Sequence, residues 1–147
     1  MDSPVYKKGI LIVEDDPVIS SLIDFMLKEL GYLVVGSAST GHEAIDITKK
    51  IRPDLVLMDI HLKGQMDGIE AARTIWGIYN IPVVFLTADA EDVTLERAIK
   101  TAPFGYIEKP FDKEVFTLTL KITFLRYEEE KKRWGIDFKT PPPDSDT

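Results

Sequence analysis

The chain contains no cysteine. It therefore forms no disulfide and no thiolate metal site, which fits a reducing compartment. No apolar run approaches the ~20 residues that a membrane-spanning helix needs. The opening Met1-Asp2-Ser3-Pro4-Val5-Tyr6-Lys7-Lys8 lacks the apolar core of a signal peptide, so the expected location is the cytoplasm. Basic residues are outnumbered, 18 Lys and Arg against 25 Asp and Glu, and the net charge of −7 argues against nucleic acid as a general partner. Only His42 and His61 carry imidazoles, and they are not clustered. What is present suits an ordinary globular domain: 147 residues form a single unit large enough for its own core, with 44% hydrophobic and 29% charged residues.

The most informative stretch is Asp54-Leu55-Val56-Leu57-Met58-Asp59-Ile60. A run this apolar reads as a strand covered on both faces, the parallel-sheet kind. An unpaired charge inside such a strand costs several kcal/mol. Asp59 is tolerable at the strand's C-terminal end, where open α/β sheets bind ligands. Other polar residues repeat that placement: Glu14 and Asp15 after Ile10–Val13, Thr87 after Ile81–Leu86, and Lys109 after Phe104–Ile107. A second, shorter strand is expected over Tyr32–Val35. Five strands alternating with helices predict a doubly wound, flavodoxin-like α/β fold with five helices, (βα)5, and parallel sheet order 2-1-3-4-5. The crevice of that sheet lies between strands one and three.

Helix signals separate the strands. Asp16-Pro17 caps and opens the first helix, and Gly31 stops it. Thr40 and Glu43 have capping-box spacing before the second, which Pro53 closes. Asp67 and Glu70 repeat that spacing before the third, expected to run to about Trp76 and end near Gly77. Asp89 is the expected cap of the fourth. The final segment is two-sided in its signals: Phe116, Leu118, Leu120, Ile122 and Phe124 alternate with polar residues as in a strand. Asp112 as N-cap and the charged Glu128–Arg133 tract instead favour a helix over Lys113–Trp134, the assignment adopted. From Gly135 onward, Pro141-Pro142-Pro143 and Asp144-Ser145-Asp146 read as a disordered tail or linker, 135–147, after a domain spanning 8–134.

Three carboxylates crowded at one crevice repel one another, by ~4 kcal/mol for a like-charged pair at ~4 Å and an effective dielectric of 20. Either one is protonated or a cation sits among them. An all-oxygen set without Cys or clustered His suits Mg²⁺, with Mn²⁺ an alternative. With Lys109 and Thr87 added, the set meets the needs of phosphoryl transfer to Asp59: a nucleophilic carboxylate, counter-charges and a hydroxyl donor.

Val13-Glu14-Asp15-Asp16-Pro17, Leu57-Met58-Asp59-Ile60, Met66-Asp67-Gly68-Ile69-Glu70, Leu86-Thr87-Ala88 and Gly105-Tyr106-Ile107-Glu108-Lys109-Pro110-Phe111 together resemble the receiver domain of two-component response regulators. The resemblance covers residues from about 8 to 134. It implies that Asp59 accepts phosphate from a sensor histidine kinase or a phosphotransfer protein. It also implies that Asp15, Asp59 and the His61 backbone carbonyl ligate Mg²⁺, with Glu14 acting through water. Thr87 and Tyr106 become a switch pair, Lys109 contacts the phosphoryl group, Ala88 and Pro110 play supporting parts, and the bond before Pro110 is cis. Signalling to an unknown downstream protein would use the surface of the fourth helix, fifth strand and last helix. Such a chain modifies itself and is not a turnover enzyme. The loop His61–Asp67 reads as one residue longer than the common pattern, the last helix runs past the usual end, and no DNA-binding output follows in the sequence given. The apolar positions after Phe116 allow a homodimer, through that same surface or the long last helix, and equally a monomer.

Plainer readings compete. A strand-end acid often only caps the next helix, which is the expected role of Asp16. Thr87 alone is an ordinary β-branched strand residue, Lys109 alone a surface lysine, Tyr106 alone core, and His42 surface. An aspartyl-phosphate Mg²⁺-dependent phosphatase of the haloacid-dehalogenase type is the enzymatic alternative, but it wants an acid where His61 stands. A phosphorylation-independent interaction module is the third reading.

Overall fold

The computed structural model of the chain describes residues 7–88, 92–101 and 104–134. Its strands are β1 (Gly9–Val13), β2 (Leu33–Ala38), β3 (Leu55–Asp59), β4 (Val83–Thr87) and β5 (Tyr106–Glu108). They form one sheet, every neighbouring pair parallel, in the expected order β2-β1-β3-β4-β5. The helices are α1 (Pro17–Glu29), α2 (Gly41–Ile51), α3 (Gly68–Thr74, continued by a π-helical turn Ile75–Tyr79), α4 (Asp92–Thr101) and α5 (Lys113–Trp134). The Asp89 cap and the tail 135–147 lie outside the described residues.

Strand alternation divides the core into two layers. Leu11, Val13, Val56, Met58, Val83 and Phe85 point to the side covered by Ala44 of α2, Ile69 and Ala72 of α3, and Ala98 of α4. Ile10, Ile12, Leu55, Leu57, Val84, Leu86 and Ile107 point to the other side, against Ile23 and Leu27 of α1 and Phe116 and Leu120 of α5. Burial on both faces is why these strands read as continuous apolar runs. At the base of the sheet the buried Asp54 accepts the Gly9 N–H at 2.7 Å, tying β3 to β1 where the ladder begins.

The helix starts are built as the sequence indicates. Asp16 accepts from Val18 and Ile19 N–H at 2.9 and 3.4 Å, with Pro17 in the first helical position. Asp67 and Glu70 form a complete capping box. Asp112 accepts from Glu114 and Val115 N–H, and α5 covers Lys113–Trp134 as expected. At α2 the box is half formed: Thr40 accepts from Glu43 N–H, but the Glu43 carboxylate takes the Ser39 N–H instead.

Several boundaries differ from expectation. β2 continues beyond Val35 to Ala38, because a register shift against β1 lets Gly36 and Ser37 rejoin the ladder opposite Leu11 and Ile12. α2 ends at Ile51, two residues before Pro53, with Arg52 in the left-handed region (φ 55°). The third helix does not stop at Gly77. It passes through it as a π-turn and ends on Asn80 (φ 54°), a residue type that tolerates that conformation. Phe104 is not in β5. It leaves the ladder to pack edge-on against Trp76 at 5.0 Å, and both meet Tyr127 of α5, whose hydroxyl donates to the Asn80 carbonyl at 2.8 Å.

Candidate functional site

The site occupies the C-terminal edge of the sheet. Asp59 ends β3 on the same side as Leu55 and Leu57, and the residue is only 5% exposed. Oδ1 accepts the His61 N–H at 3.0 Å; Oδ2 faces the Lys109 ammonium at 3.4 Å. Lys109 arrives two residues after the buried Ile107 of β5, positioned by its own N–H, which donates to the Thr87 carbonyl at 2.8 Å. Its Nζ also donates to Glu14 Oε1 at 2.6 Å. Glu14 follows β1, is 4% exposed, and accepts the Asp16 N–H on Oε2 at 3.1 Å. Asp15 is half-buried and accepts the Lys63 N–H at 3.2 Å.

Among the described residues, Glu14, Asp15 and Asp59 each offer a carboxylate oxygen within 4.8 Å of the others. Three carboxylates against one ammonium leave an excess of two negative charges in a mostly buried pocket. Burial raises the Glu14 carboxyl above its ordinary value, and the nearby Asp59 charge adds to this, while the Lys109 and Asp16 hydrogen bonds oppose it. For Lys109, burial works against the charged form. The hydrogen bond to Glu14 and the Asp59 charge outweigh it, so the ammonium is held protonated above its usual range. A compact all-oxygen donor set with two uncompensated negative charges fits a hard divalent cation. A polar cleft of about 410 Å³, lined by Glu14, Asp15, Ser20, Ser37 and Glu43, opens beside the acids.

Thr87 is buried at the end of β4, one residue past Leu86, which pairs with Asp59. Ala88 next to it is exposed. Tyr106 is not core: it is 37% exposed on the outer face of β5. His61 is exposed, and the Lys109–Pro110 bond is cis. The residues singled out in the sequence thus gather at one edge, with Tyr106 displaced toward the surface.

Two contributors carry no role in the sequence reading. Lys63 holds Asp15 through its backbone N–H, an interaction that no side-chain pattern encodes. Gly68 starts α3 against the backbone that follows β3: its N–H donates to the Ile60 carbonyl at 2.9 Å, and a Cβ there would stand 2.0 Å from the Asp59 carbonyl oxygen. The signal for it was a glycine at a helix's first position, immediately after its cap, where only a missing side chain permits such close approach.

A buried strand-end carboxylate flanked by two acids and one lysine, on a 2-1-3-4-5 parallel sheet, defines a doubly wound α/β domain with an acidic, cation-seeking pocket. Residues 10–121 match the response regulator receiver domain, and the chain belongs to that family. It is 35% identical over 122 residues to the transcriptional regulatory protein PdtaR of Mycobacterium tuberculosis, a match covering 83% of this chain and 59% of that protein. The chain therefore spans little more than half the length of this curated relative. The signal receiver domain of a modulated diguanylate cyclase from Desulfovibrio desulfuricans superposes with TM-score 0.80 and 33% identity, covering 85% of this chain and 99% of the other. The receiver domain of the sensor histidine kinase PA1611 from Pseudomonas aeruginosa, solved with a magnesium ion coordinated in its active-site cleft, superposes with TM-score 0.70 and 32% identity, covering 81% and 99%.

Proposed function

We propose that residues 8–134 form a phosphorylation-driven receiver in which Asp59 accepts a phosphoryl group from the phosphohistidine of a sensor histidine kinase or phosphotransfer protein. The observation that carries this is the Asp59 carboxylate, buried at a strand end with Lys109 at 3.4 Å and two further acids around it. An Asp59 oxygen attacks phosphorus, the bond to the donor imidazole breaks, and its electron pair leaves with the imidazole. Asp15, Asp59 and the His61 carbonyl would hold Mg²⁺, with Glu14 acting through water. That ion, when bound, would neutralise phosphoryl and carboxylate charge. Lys109 exchanges its contact with Glu14 and Asp59 for the phosphoryl oxygens, and the Thr87 hydroxyl donates to one of them. Val18, Leu22 and Phe25, exposed along α1 at helical spacing, supply an apolar docking strip for the donor protein.

The response is a population shift. Thr87 turns toward the new charge, Tyr106 moves from its exposed position inward, and the α4-β5-α5 surface repacks for a downstream protein. Receiver domains are signalling modules, and this one catalyses its own modification without turnover of a released substrate. Among the described residues, no helix is long and apolar enough to cross a membrane. The proposed exchange with a histidine kinase or phosphotransfer protein is the ground on which we place this receiver in the cytoplasm.

Incubation with acetyl phosphate or a phosphorylated kinase plus Mg²⁺, followed by intact mass, tests the reading. The wild type should gain one phosphoryl group and Asp59→Asn none; labelling of the Asn variant, or none of the wild type with either donor, refutes it. Lys109→Ala should still label but lose most of the conformational response.

A further inference from the structure

The three acids of the pocket are not held equally. Asp59 accepts the His61 N–H and faces the Lys109 ammonium. Glu14 accepts the Asp16 N–H and the same ammonium. Asp15 is half-buried and, among the described residues, accepts a single hydrogen bond, from the Lys63 N–H at 3.2 Å. That donor lies 48 positions further along the chain, in the loop between β3 and α3. The loop is built to keep it in place. Gly68 N–H closes the base on the Ile60 carbonyl at 2.9 Å. Lys63 itself forms an isolated parallel bridge with Thr40, the residue that caps α2. Met66 packs on the start of α2, where a Cβ at Gly41 would lie 3.0 Å from its sulfur. Gly64, next to Lys63, turns the chain at φ 97°, which a residue with a side chain adopts only under strain. The Lys63 side chain is exposed and makes no ion pair among the described residues, so what it offers the pocket is its backbone.

We infer that the Lys63 amide is a positioning group for the divalent cation: by fixing the Asp15 carboxylate it tilts the acidic pocket toward Mg²⁺ relative to Ca²⁺. This rests on the reading of Glu14, Asp15 and Asp59 as a cation site. One oxygen of Asp15 is taken by the amide, which leaves the other with a set direction. Mg²⁺ demands near-ideal octahedral geometry at about 2.0–2.1 Å, whereas Ca²⁺ accepts roughly six to eight oxygens in flexible arrangements at about 2.3–2.6 Å. A carboxylate locked from behind serves the first ion. A carboxylate free to swing serves the second nearly as well. Groups that orient a ligating side chain in this way are typically worth about 10–100-fold in metal affinity.

Calorimetric titration of the metal-free full chain with MgCl2 and with CaCl2 reads both affinities. Lys63→Pro removes the N–H and should weaken Mg²⁺ binding at least about tenfold, with Ca²⁺ binding weakened about threefold at most. Lys63→Ala keeps the N–H and discards an exposed, screened ammonium, and should stay within about twofold of the wild type for both ions. Gly64→Ala adds a Cβ that meets no atom within 4 Å but strains the turn beside Lys63. It should lower the Mg²⁺-to-Ca²⁺ affinity ratio in the same sense while keeping the far-UV circular dichroism, and it decides the matter if Lys63→Pro fails to fold. A merely structural role for the loop would lower the melting temperature and leave that ratio unchanged, which overturns the inference. So does equal loss in Lys63→Ala and Lys63→Pro, which assigns the effect to the side-chain charge. A wild type that binds neither ion removes the cation site itself, and the role of Lys63 with it.

Discussion

Replacing Gly68 with alanine adds one carbon against the backbone of Asp59 and Ile60. The new Cβ would lie 2.0 Å from the Asp59 carbonyl oxygen, 2.9 Å from its carbon and 3.0 Å from Ile60 Cα, all backbone atoms that cannot rotate away. Relief requires the start of α3 to move by roughly 1 Å or more from the end of β3, enough to break the 2.9 Å bond from Gly68 N–H to the Ile60 carbonyl. Overpacking of a tight site costs about 1–3 kcal/mol, and the lost hydrogen bond adds about 1 kcal/mol. A total near ~3 kcal/mol lowers Tm by roughly 6–12 °C in a chain of this size. A displacement of about 1 Å at a reacting group lowers rate by about a hundredfold, so acetyl-phosphate labelling should slow on that scale. Gly77→Ala is the control: a Cβ there meets nothing within 4 Å, and in a helical segment alanine should stabilise by about 0.5–1 kcal/mol. Thermal denaturation and timed mass spectrometry of the two variants decide the matter. Gly68→Ala with wild-type stability and labelling would refute the geometric argument.

Thr48 is fully buried in α2 and its hydroxyl has no hydrogen-bond partner among the described residues. Thr48→Val should therefore stabilise the fold by about 1 kcal/mol in urea denaturation, and a loss of stability would contradict that. Burial raises the Glu14 carboxyl above its ordinary value, so in the metal-free protein its contribution to stability is fully present below the unfolded pKa and is lost as pH rises through the folded value. Compared with Glu14→Gln, the wild type should lose stability as pH rises above the ordinary carboxylate range. Mg²⁺ should reverse the loss. A flat difference across that range would show that Lys109 alone satisfies Glu14.

Much of this architecture was legible because the parallel sheet writes itself as apolar runs, and because an acid at the end of such a run has few tolerable explanations. Asp59, Glu14, Asp15, Thr87 and Lys109 read as one edge from the sequence alone. The last helix was harder, since residues on its two apolar faces, Phe116 and Leu120 inside and Leu118 and Ile122 outside, interleave into the period of a strand. Only its cap and charged end identified it. The end of the third helix was misplaced at Gly77 because a glycine is the usual left-handed stop, and here Asn80 takes that conformation after a π-turn. Contacts made by the backbone, such as Lys63 N–H to Asp15, leave no trace in side-chain identity and were not readable.

Two buried acids bracket β3, Asp54 just before it and Asp59 as its last residue, and they are answered differently. Asp54 is answered by the Gly9 amide, a dipole fixed in the ladder that cannot be withdrawn without parting two strands. Asp59 is answered by an ammonium on a flexible four-carbon stem, shared with Glu14. The first arrangement is permanent masonry. The second is a counter-ion that can let go, so on this strand a visiting anion can be traded in at one end only.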